Sequence, residues 1–418
     1  MPTRQPYSST QRKLVLAFDV GTTFSGISYR LVGHLLLNLS SELWVLLCSI
    51  LNLGEVAKIR SVTRSIHKAL KRRFHAQHCA GGGSKIPTVI YYDKHGEVRA
   101  VGAKARQKGI EADAEDKEWT KAEWFKLHLH PQSSSAALIA SHAIPPLPKG
   151  KTVIDVFADF LRYLHQCART YIEETHPNGT DMWQNLETCT DFVLTHPNSW
   201  EGTQQSQMRC AAVRAGLIPN SLAGQQRLSF VTEGEVSLHF CIQEGLATHT
   251  MEVSFIRHRT MDPPPKVSGY SQQGKGIFIV DAGGGAVDVT AYRQTSQDTQ
   301  SFKEAIAPQC HFQGSVFVTS NARNYLENLL ENSRFIDDIP NMTEYFNKRT
   351  KLRFHNDDDA QYIKFGRRGD RDPLLNIRSG QLKLLGSNVA SFFEPSIQCM
   401  VESIEKQRAK SETQIAVS

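Results

Sequence analysis

The sequence lacks the cysteine pairs that would place it among disulfide-stabilised or zinc-binding proteins. Its eight cysteines are scattered along 418 residues, and none of them forms a CxxC pair. Such spacing argues against a disulfide framework or a structural zinc site, and it is typical of proteins from a reducing compartment. The sequence therefore indicates a cytoplasmic protein.

The sequence also lacks a strong charge imbalance and a leader segment. It has 48 Lys and Arg residues against 42 Asp and Glu, a net charge of +6. This surplus does not by itself indicate a nucleic-acid partner. Residues 1–12 are polar, without the apolar run of a signal peptide, and we expect a disordered lead-in. A hydrophobic content of 40% over 418 residues is enough for a large core and two or three domains.

One long apolar run, Leu31–Leu51, is compatible in length with a transmembrane segment. A membrane span would place His34, Asn38 and Glu42 in hydrocarbon, where polar and charged groups are costly. We therefore favour a buried or irregular insertion in a soluble domain and expect no membrane partner. A membrane-anchored protein is an alternative that rests on this segment alone.

The most informative stretch, Gly276–Tyr292, reads GIFIVDAGGGAVDVTAY and predicts a β-hairpin. A continuous apolar run predicts a buried strand that ends at Asp281, and the alternation after the glycines predicts a return strand carrying Asp288. Gly283, Gly284 and Gly285 form its tip. Glycines let backbone N–H groups approach a phosphate, and a carboxylate beside them can hold a divalent metal.

A near-copy of this hairpin lies early in the chain. Lys13–Tyr29 reads KLVLAFDVGTTFSGISY, with Asp19 near the end of an apolar strand and Gly21, Thr22 and Thr23 at the tip. One glycine-rich turn is weak evidence, because tight turns use glycine routinely. Two hairpins with the same order of features indicate two related halves that hold a phosphate chain from opposite sides.

These two motifs carry a resemblance to a known superfamily. FDVGTTFSG and VDAGGGAVDVT are similar to the first and second phosphate motifs of the actin-like ATPases, in particular of divergent fungal and animal members of the heat shock protein 70 kDa family. The resemblance covers residues 12–29 and then runs from about residue 84 to the C-terminus. It implies an α/β, two-lobed actin-like ATPase fold, which is ribonuclease H-like.

The resemblance also implies a domain organisation. The first lobe would span residues 13–245, with an irregular insertion at 31–83 for which a retained intron or a faulty gene model is one explanation. A loop at 246–275 would lead to the second lobe at 276–418. We expect that lobe to be incomplete at the C-terminus, since no Gly-Gly turn after Gly314 resembles the adenosine motif of the family. No region resembles the peptide-binding domain of the family.

The resemblance implies a role for each motif residue. ATP would place its β- and γ-phosphates between the two tips, and Asp19, Asp281 and Asp288 would orient Mg²⁺ through water. The nucleotide-binding residues would be Gly21, Thr22, Thr23, Gly283, Gly284, Gly285 and Gly314. Gly314 resembles the glycine that leads into the helical subdomain of the second lobe.

Three catalytic residues follow from the same resemblance. Asp281 or Glu233 would orient the attacking water, and Lys126 would neutralise the transferring phosphate or position that water. Each assignment has a structural alternative. Lys126 could be an exposed lysine beside the apolar Trp124 and Phe125, and Glu233 could be a helix-start carboxylate that serves the helix dipole.

The implied function is that of an ATP-binding, ATP-hydrolysing, chaperone-like protein with ATP and Mg²⁺ as its ligands. Its expected partners are nucleotide and either unfolded client proteins or co-chaperones, with no nucleic acid. Ala286 departs from the family pattern, because it replaces the hydroxyl residue usual after the glycines and so removes one phosphate contact. A non-catalytic pseudo-ATPase that acts through interactions, a truncated gene product with weak nucleotide binding, and a small-molecule kinase therefore remain as alternatives.

Overall fold

The computed structural model describes residues 13–32, 85–129, 144–200, 202–245, 276–295 and 302–415. The predicted lead-in at 1–12 and the loop at 246–275 lie outside these ranges, as does most of the predicted insertion at 31–83. Leu31 and Val32 are described, and they continue the second strand of the first hairpin, opposite Leu14 and Lys13. The insertion therefore begins no earlier than residue 33.

The fold is a mixed α/β arrangement of several sheets and helices. Its strands are β1 (Lys13–Val20), β2 (Phe24–Val32), β3 (Ile86–Pro87), β4 (Val89–Tyr92), β5 (Val98–Val101), β6 (Thr120–Glu123), β7 (Asp191–His196), β8 (Leu228–Thr232), β9 (Gly276–Ala282), β10 (Val287–Gln294), β11 (Phe302–His311), β12 (Gln361–Lys364), β13 (Ile377–Arg378) and β14 (Gln381–Leu384). Its helices are α1 (Ile110–Asp116), α2 (Val153–Thr175), α3 (Gly179–Leu186), α4 (Gly202–Arg214), α5 (Leu222–Gln226), α6 (Glu233–Gly245), α7 (Ser315–Leu330), α8 (Ile339–Tyr345), α9 (Lys351–Arg353) and α10 (Gly386–Ile415).

The first sheet has the strand order β3-β2-β1-β7-β8. The predicted hairpin of β1 and β2 is confirmed, and β7 and β8 continue the sheet parallel to β1. Because parallel strands share one carboxyl-terminal edge, Asp19 in β1, Thr195 in β7 and Glu233 just after β8 are brought to the same side of the sheet. The functional side chains of the first half come from this edge.

Helix α2 covers the first sheet, and its sequence shows why it forms there. Thr152 caps its N-terminus in a reciprocal capping box with Asp155. The apolar positions Phe157, Leu161 and Leu164 recur at helical spacing and are fully buried in the main core. This packing fixes the sheet edge that carries the functional residues.

The second sheet repeats the beginning of the first. Strands β9 and β10 form the predicted hairpin, and β11 pairs antiparallel with β10, which gives the order β11-β10-β9. In both sheets a third strand thus adds to the second arm of a glycine-tipped hairpin. Strand β10 is buried on both faces, because the polar Asp288 and Thr290 are as inaccessible as its apolar positions.

A separate cluster of buried residues lies in the last hundred residues. Helix α7 contributes Leu326 and Leu330 to a buried cluster that also contains side chains of the sheet β12-β14-β13. Helix α10 runs back along β10 and β11. None of the helices in the described ranges combines the length and the apolar run needed to cross a bilayer.

Candidate functional site

The tips of the two hairpins are in direct contact. A Cβ atom built on Gly284 would lie 2.5 Å from Thr23 Oγ1, and one on Gly285 would lie 2.4 Å from Thr22 Oγ1. Both distances are too short for any side chain, so these two positions require glycine for the approach of the first tip. The structure therefore places the two predicted phosphate loops against each other.

A cleft of about 800 Å³ opens beside the touching tips. It is of the size that proteins use for cofactors and small ligands. With the exception of Gly314, every residue predicted for the site lines this cleft: Asp19, Gly21, Thr22, Thr23, Lys126, Glu233, Asp281, Gly283, Gly284, Gly285 and Asp288. The sequence motifs therefore converge on one place in the fold.

Gly314 differs in position from the other predicted residues. It is the N-cap of α7 and lies behind the glycine loop, where a Cβ would come within 2.6 Å of the backbone of Gly285. It is not among the residues that line the cleft. It leads directly into α7, as the resemblance implies, and it lets the helix approach the loop; its predicted part in nucleotide binding stays a prediction.

The start of α7 fixes the glycine loop through its backbone. The N–H groups of Ser315 and Val316 donate to the carbonyl oxygens of Gly283 and Gly284 at 3.0 and 2.8 Å. Within the described ranges nothing accepts a hydrogen bond from the N–H groups of Gly284 and Gly285. A loop whose carbonyls are engaged and whose N–H donors remain available is suited to an anion.

Asp19 is held in place by two partners. It is buried, with 3% of its surface exposed, and Thr195 Oγ1 donates to its Oδ1 at 2.8 Å. Lys85 Nζ lies 3.7 Å from the other carboxylate oxygen, Oδ2. Both oxygens of this carboxylate are therefore matched by a hydrogen bond or a charge.

Lys126 and Glu233 form a buried ion pair, with Nζ 2.6 Å from Oε1. Lys126 lies on the 3₁₀ turn Phe125–Leu129 and is only 4% exposed, so the alternative of an exposed lysine does not describe it. Burial alone would lower the pKa of Lys126, but the carboxylates of Glu233 and Asp19 outweigh it and raise the pKa. The ammonium group therefore stays charged in the cleft.

Asn198 sets the position of Glu233. Its Oδ1 accepts a hydrogen bond from Gly234 N–H at 2.7 Å, and its Nδ2 donates to Tyr292 Oη at 3.1 Å. This side chain thereby ties the start of α6 to the second sheet. Glu233 is the first residue of α6 and also lines the cleft. Its carboxylate can therefore stabilise the helix dipole and face a ligand at the same time.

Asp281 and Asp288 lie directly opposite each other on β9 and β10. Like charges at such positions destabilise a sheet. Burial and then the carboxylates of Glu233 and Asp19 raise the pKa of Asp281 to about 6. Burial and then Glu233 raise the pKa of Asp288 to about 8, and its Oδ1 has no hydrogen-bond partner among the described residues. Lys126 acts on both carboxylates in the opposite direction, together with Lys85 at Asp281 and the Cys310 thiol at Asp288, but these partners do not outweigh burial and the neighbouring acids.

The charges that line the cleft do not balance. Among the described residues it holds four carboxyl groups, those of Asp19, Glu233, Asp281 and Asp288, but only two ammonium groups, those of Lys85 and Lys126. The raised pKa values of Asp281 and Asp288 mean that bound protons offset part of this excess when no cation is present. An added divalent cation would remove this excess and return the raised pKa values toward their ordinary range. The donor set consists of carboxylate oxygens, which suit Mg²⁺.

The carboxylates are not close enough together to form a direct coordination cage. In the part of the chain that the structure describes, no three His, Cys, Asp or Glu side chains come together as a metal site. Mg²⁺ usually keeps several of its waters and takes few protein ligands. If Mg²⁺ binds here, Asp19, Asp281 and Asp288 are the residues that could hold it through such waters.

Sequence reasoning missed the cleft residues Lys85, Trp200 and Cys310, and also Thr195, which holds Asp19 from outside the cleft lining. Thr195 could have been found, because it ends a strand that runs parallel to β1. Cys310 could not, because its place opposite Asp288 depends on the register of β11. Lys85 follows a segment without a motif, and nothing in the sequence around it marks an active-site residue.

No protein-family model matches the chain, and no curated protein matches it. The resemblance to the actin-like ATPases therefore rests on the two sequence motifs.

Proposed function

We propose that this protein binds Mg-ATP in the cleft beside the contact of its two glycine-tipped hairpins and hydrolyses it, as an actin-like ATPase of the heat shock protein 70 kDa type. The observation that carries the proposal is the contact of the two tips beside a cleft with excess carboxylate charge. Polyphosphate with a divalent cation is the ligand whose chemistry complements loop N–H donors and carboxylates at once.

The arrangement of the sheets supports the proposed two-lobed actin-like fold. The orders β3-β2-β1 and β11-β10-β9 are built alike, and each begins with an aspartate-bearing hairpin. Such repetition is what two related lobes around a shared ligand would produce. Each hairpin sheet is also covered by a long helix, α2 on β2 and α10 on β10 and β11.

In the proposed reaction the chain supplies position and charge. The N–H groups of Gly284 and Gly285 would donate to phosphate oxygens, and Lys126 would face the transferring phosphate. Glu233 would orient the attacking water, with Asp281 as the other candidate for this task. Mg²⁺, held through water by the three aspartates, would neutralise charge on the phosphates. Opening and closing of the lobes with nucleotide would be the output, with client proteins or co-chaperones as partners.

A non-catalytic nucleotide-binding protein is the second candidate, and one observation favours it. Glu233 is engaged by Lys126 at 2.6 Å, so the carboxylate that would orient water is already paired. Ala286 also offers no hydroxyl to the phosphates. In this alternative nucleotide binding would set the conformation of an interaction protein without turnover.

Two measurements on one set of variants separate these candidates. Mg-ATP should raise the melting temperature of the native protein, because a ligand that binds the folded state stabilises it. Phosphate release should be lost in the double variant Asp19→Asn, Asp281→Asn. Asp113→Asn removes one carboxylate from an exposed ion pair with Lys117 and should change neither result.

The outcomes are distinct. A melting shift with phosphate release supports the ATPase, and a shift without release supports the non-catalytic alternative. If millimolar Mg-ATP leaves the melting temperature unchanged, the nucleotide proposal is wrong.

A further inference from the structure

Lys126 has a second neighbour besides Glu233. Its Nζ lies 5.6 Å from the centre of the Trp200 ring. Trp200 lines the same cleft and is almost completely buried. A cation within about 6 Å over an aromatic face is attracted by the ring, most strongly when both are shielded from water. The ammonium group is therefore bracketed by a carboxylate and an indole.

The proposed reaction gives Lys126 and Glu233 separate tasks. Glu233 is to orient water and Lys126 is to face the phosphate, so their contact at 2.6 Å has to lengthen. A buried charge that loses its partner is costly. The ring of Trp200 offers an attraction that competes neither for a proton nor for the phosphate oxygens.

Trp200 is itself held rigidly. Its backbone N–H donates to Pro197 O at 3.1 Å, which closes the turn between β7 and α4. Its side chain belongs to the main buried cluster. The same turn contains Asn198, which fixes the start of α6. One turn therefore carries the neighbour of Lys126 and the residue that positions Glu233.

We propose that Trp200 is a positioning residue whose ring keeps Lys126 Nζ in the cleft when Glu233 turns from the ion pair to the water. This inference rests on the proposed function for its purpose, but the holding of Lys126 by the ring is measurable without nucleotide.

The molecule offers a matched control in Trp183. Both tryptophans belong to the same buried cluster, and neither indole Nε1 has a hydrogen-bond partner among the described residues. Each has a cation over its ring, Arg169 over Trp183 at 5.9 Å and Lys126 over Trp200. Trp183 does not line the cleft. Replacing either one therefore removes similar packing, but only Trp200 affects Lys126.

The first readout is the rate at which the amine of Lys126 is acetylated by acetic anhydride, followed by mass spectrometry without nucleotide. Glu233→Gln weakens the ion pair and should leave Lys126 protected by the ring. Adding Trp200→Leu should raise the rate about tenfold or more, the scale of a shielded cation–π contact. Adding Trp200→Phe, which keeps a ring and breaks no hydrogen bond, should preserve protection, and adding Trp183→Leu should change nothing.

The second readout is phosphate release. Trp200→Leu should lower kcat about tenfold with KM changed less than about twofold, since the ring acts on the reacting geometry and not on ground-state binding. Trp200→Phe should stay near the native rate. If Trp200→Leu does not fold, Trp200→Met takes its place, because methionine also lacks a ring but fills more of the space.

The inference is overturned if Trp200→Leu leaves Lys126 protected in the Glu233→Gln background, or if Trp183→Leu exposes Lys126 equally. The proposed function fails separately, if the native protein neither binds nor hydrolyses Mg-ATP. In that event the acetylation rates still decide whether the ring holds Lys126.

Discussion

The two hairpins share a motif but differ in their surroundings. Strand β1 has neighbours on both sides, β2 and β7, and its apolar residues are fully buried. Strand β9 pairs only with β10 among the described residues, and Phe278 and Val280 are 39% and 38% exposed. The same apolar run is thus a central strand in one half of the molecule and an edge strand in the other.

The carboxylates of the two hairpins also differ in how well their neighbours compensate them. Asp19 receives a hydrogen bond from Thr195 and the charge of Lys85. Asp281 and Asp288 face each other, and burial with neighbouring carboxylates raises both pKa values. The carboxylate of the first hairpin is therefore matched by its partners in the fold, whereas Lys85, Lys126 and Cys310 offset only part of the cost of the two carboxylates in the second, which a bound cation would stabilise further.

The largest expected difference between the two hairpins is the loss of stability when an apolar side chain of each first strand is shortened. Leu16 and Phe278 occupy equivalent motif positions, three residues before Asp19 and Asp281, but Leu16 is fully buried. Leu16→Ala should lower the free energy of unfolding by about 2–5 kcal/mol, as large-to-small changes in a core do. Phe278→Ala should cost about 1 kcal/mol or less, because surface changes are small. Urea unfolding of both variants measures this difference, and equal costs would show that β9 is covered in solution.

A smaller effect is expected when Asp288 is replaced, and it should stabilise the protein where the Leu16 substitution destabilises it. Asp288 has its pKa raised to about 8 in the folded protein, so folding favours its protonated form. Its contribution to stability is therefore lost as pH rises from its unfolded pKa of about 4 through 8. Asp288→Asn removes this penalty and should raise the melting temperature without divalent cations, more at pH 8 than at pH 5.

Asp19→Asn is the matched comparison for that change. It removes the charge that faces Lys85 and should destabilise the protein by about 1 kcal/mol, the usual size of one polar interaction. Melting curves in EDTA at the two pH values test both variants. If both substitutions destabilise equally at pH 8, the two carboxylates do not differ as the structure indicates.

The hairpins could be predicted from the sequence because their signals are local. An apolar run, an aspartate and a glycine turn follow one another within about 17 residues, and the strands form as predicted. Helix α2 was predictable for a similar reason, since Thr152 and its apolar spacing are adjacent in the chain. The convergence of Lys126 and Glu233 on the same cleft was suggested by resemblance and not by spacing.

What could not be predicted depends on register and on neighbours distant in sequence. Trp200 reaches Lys126 only through the packing of the β7–α4 turn against the 3₁₀ turn. The burial of Asp288 depends on the pairing of β11 with β10 and on the packing of α10 against β10. The packing of Gly314 behind the loop belongs here too, since sequence order alone does not tell which side of a turn a helix approaches.

The most direct test of the central claim is the calorimetric titration of ATP into the native protein with Mg²⁺ and, separately, with EDTA. The cleft holds more carboxylates than ammonium groups, so a bare polyphosphate meets net repulsion there. We expect ATP to bind at least about tenfold more tightly with Mg²⁺, equivalent to about 1.4 kcal/mol. Equal affinity in EDTA would contradict a site in which the unpaired aspartates of the second hairpin hold the metal.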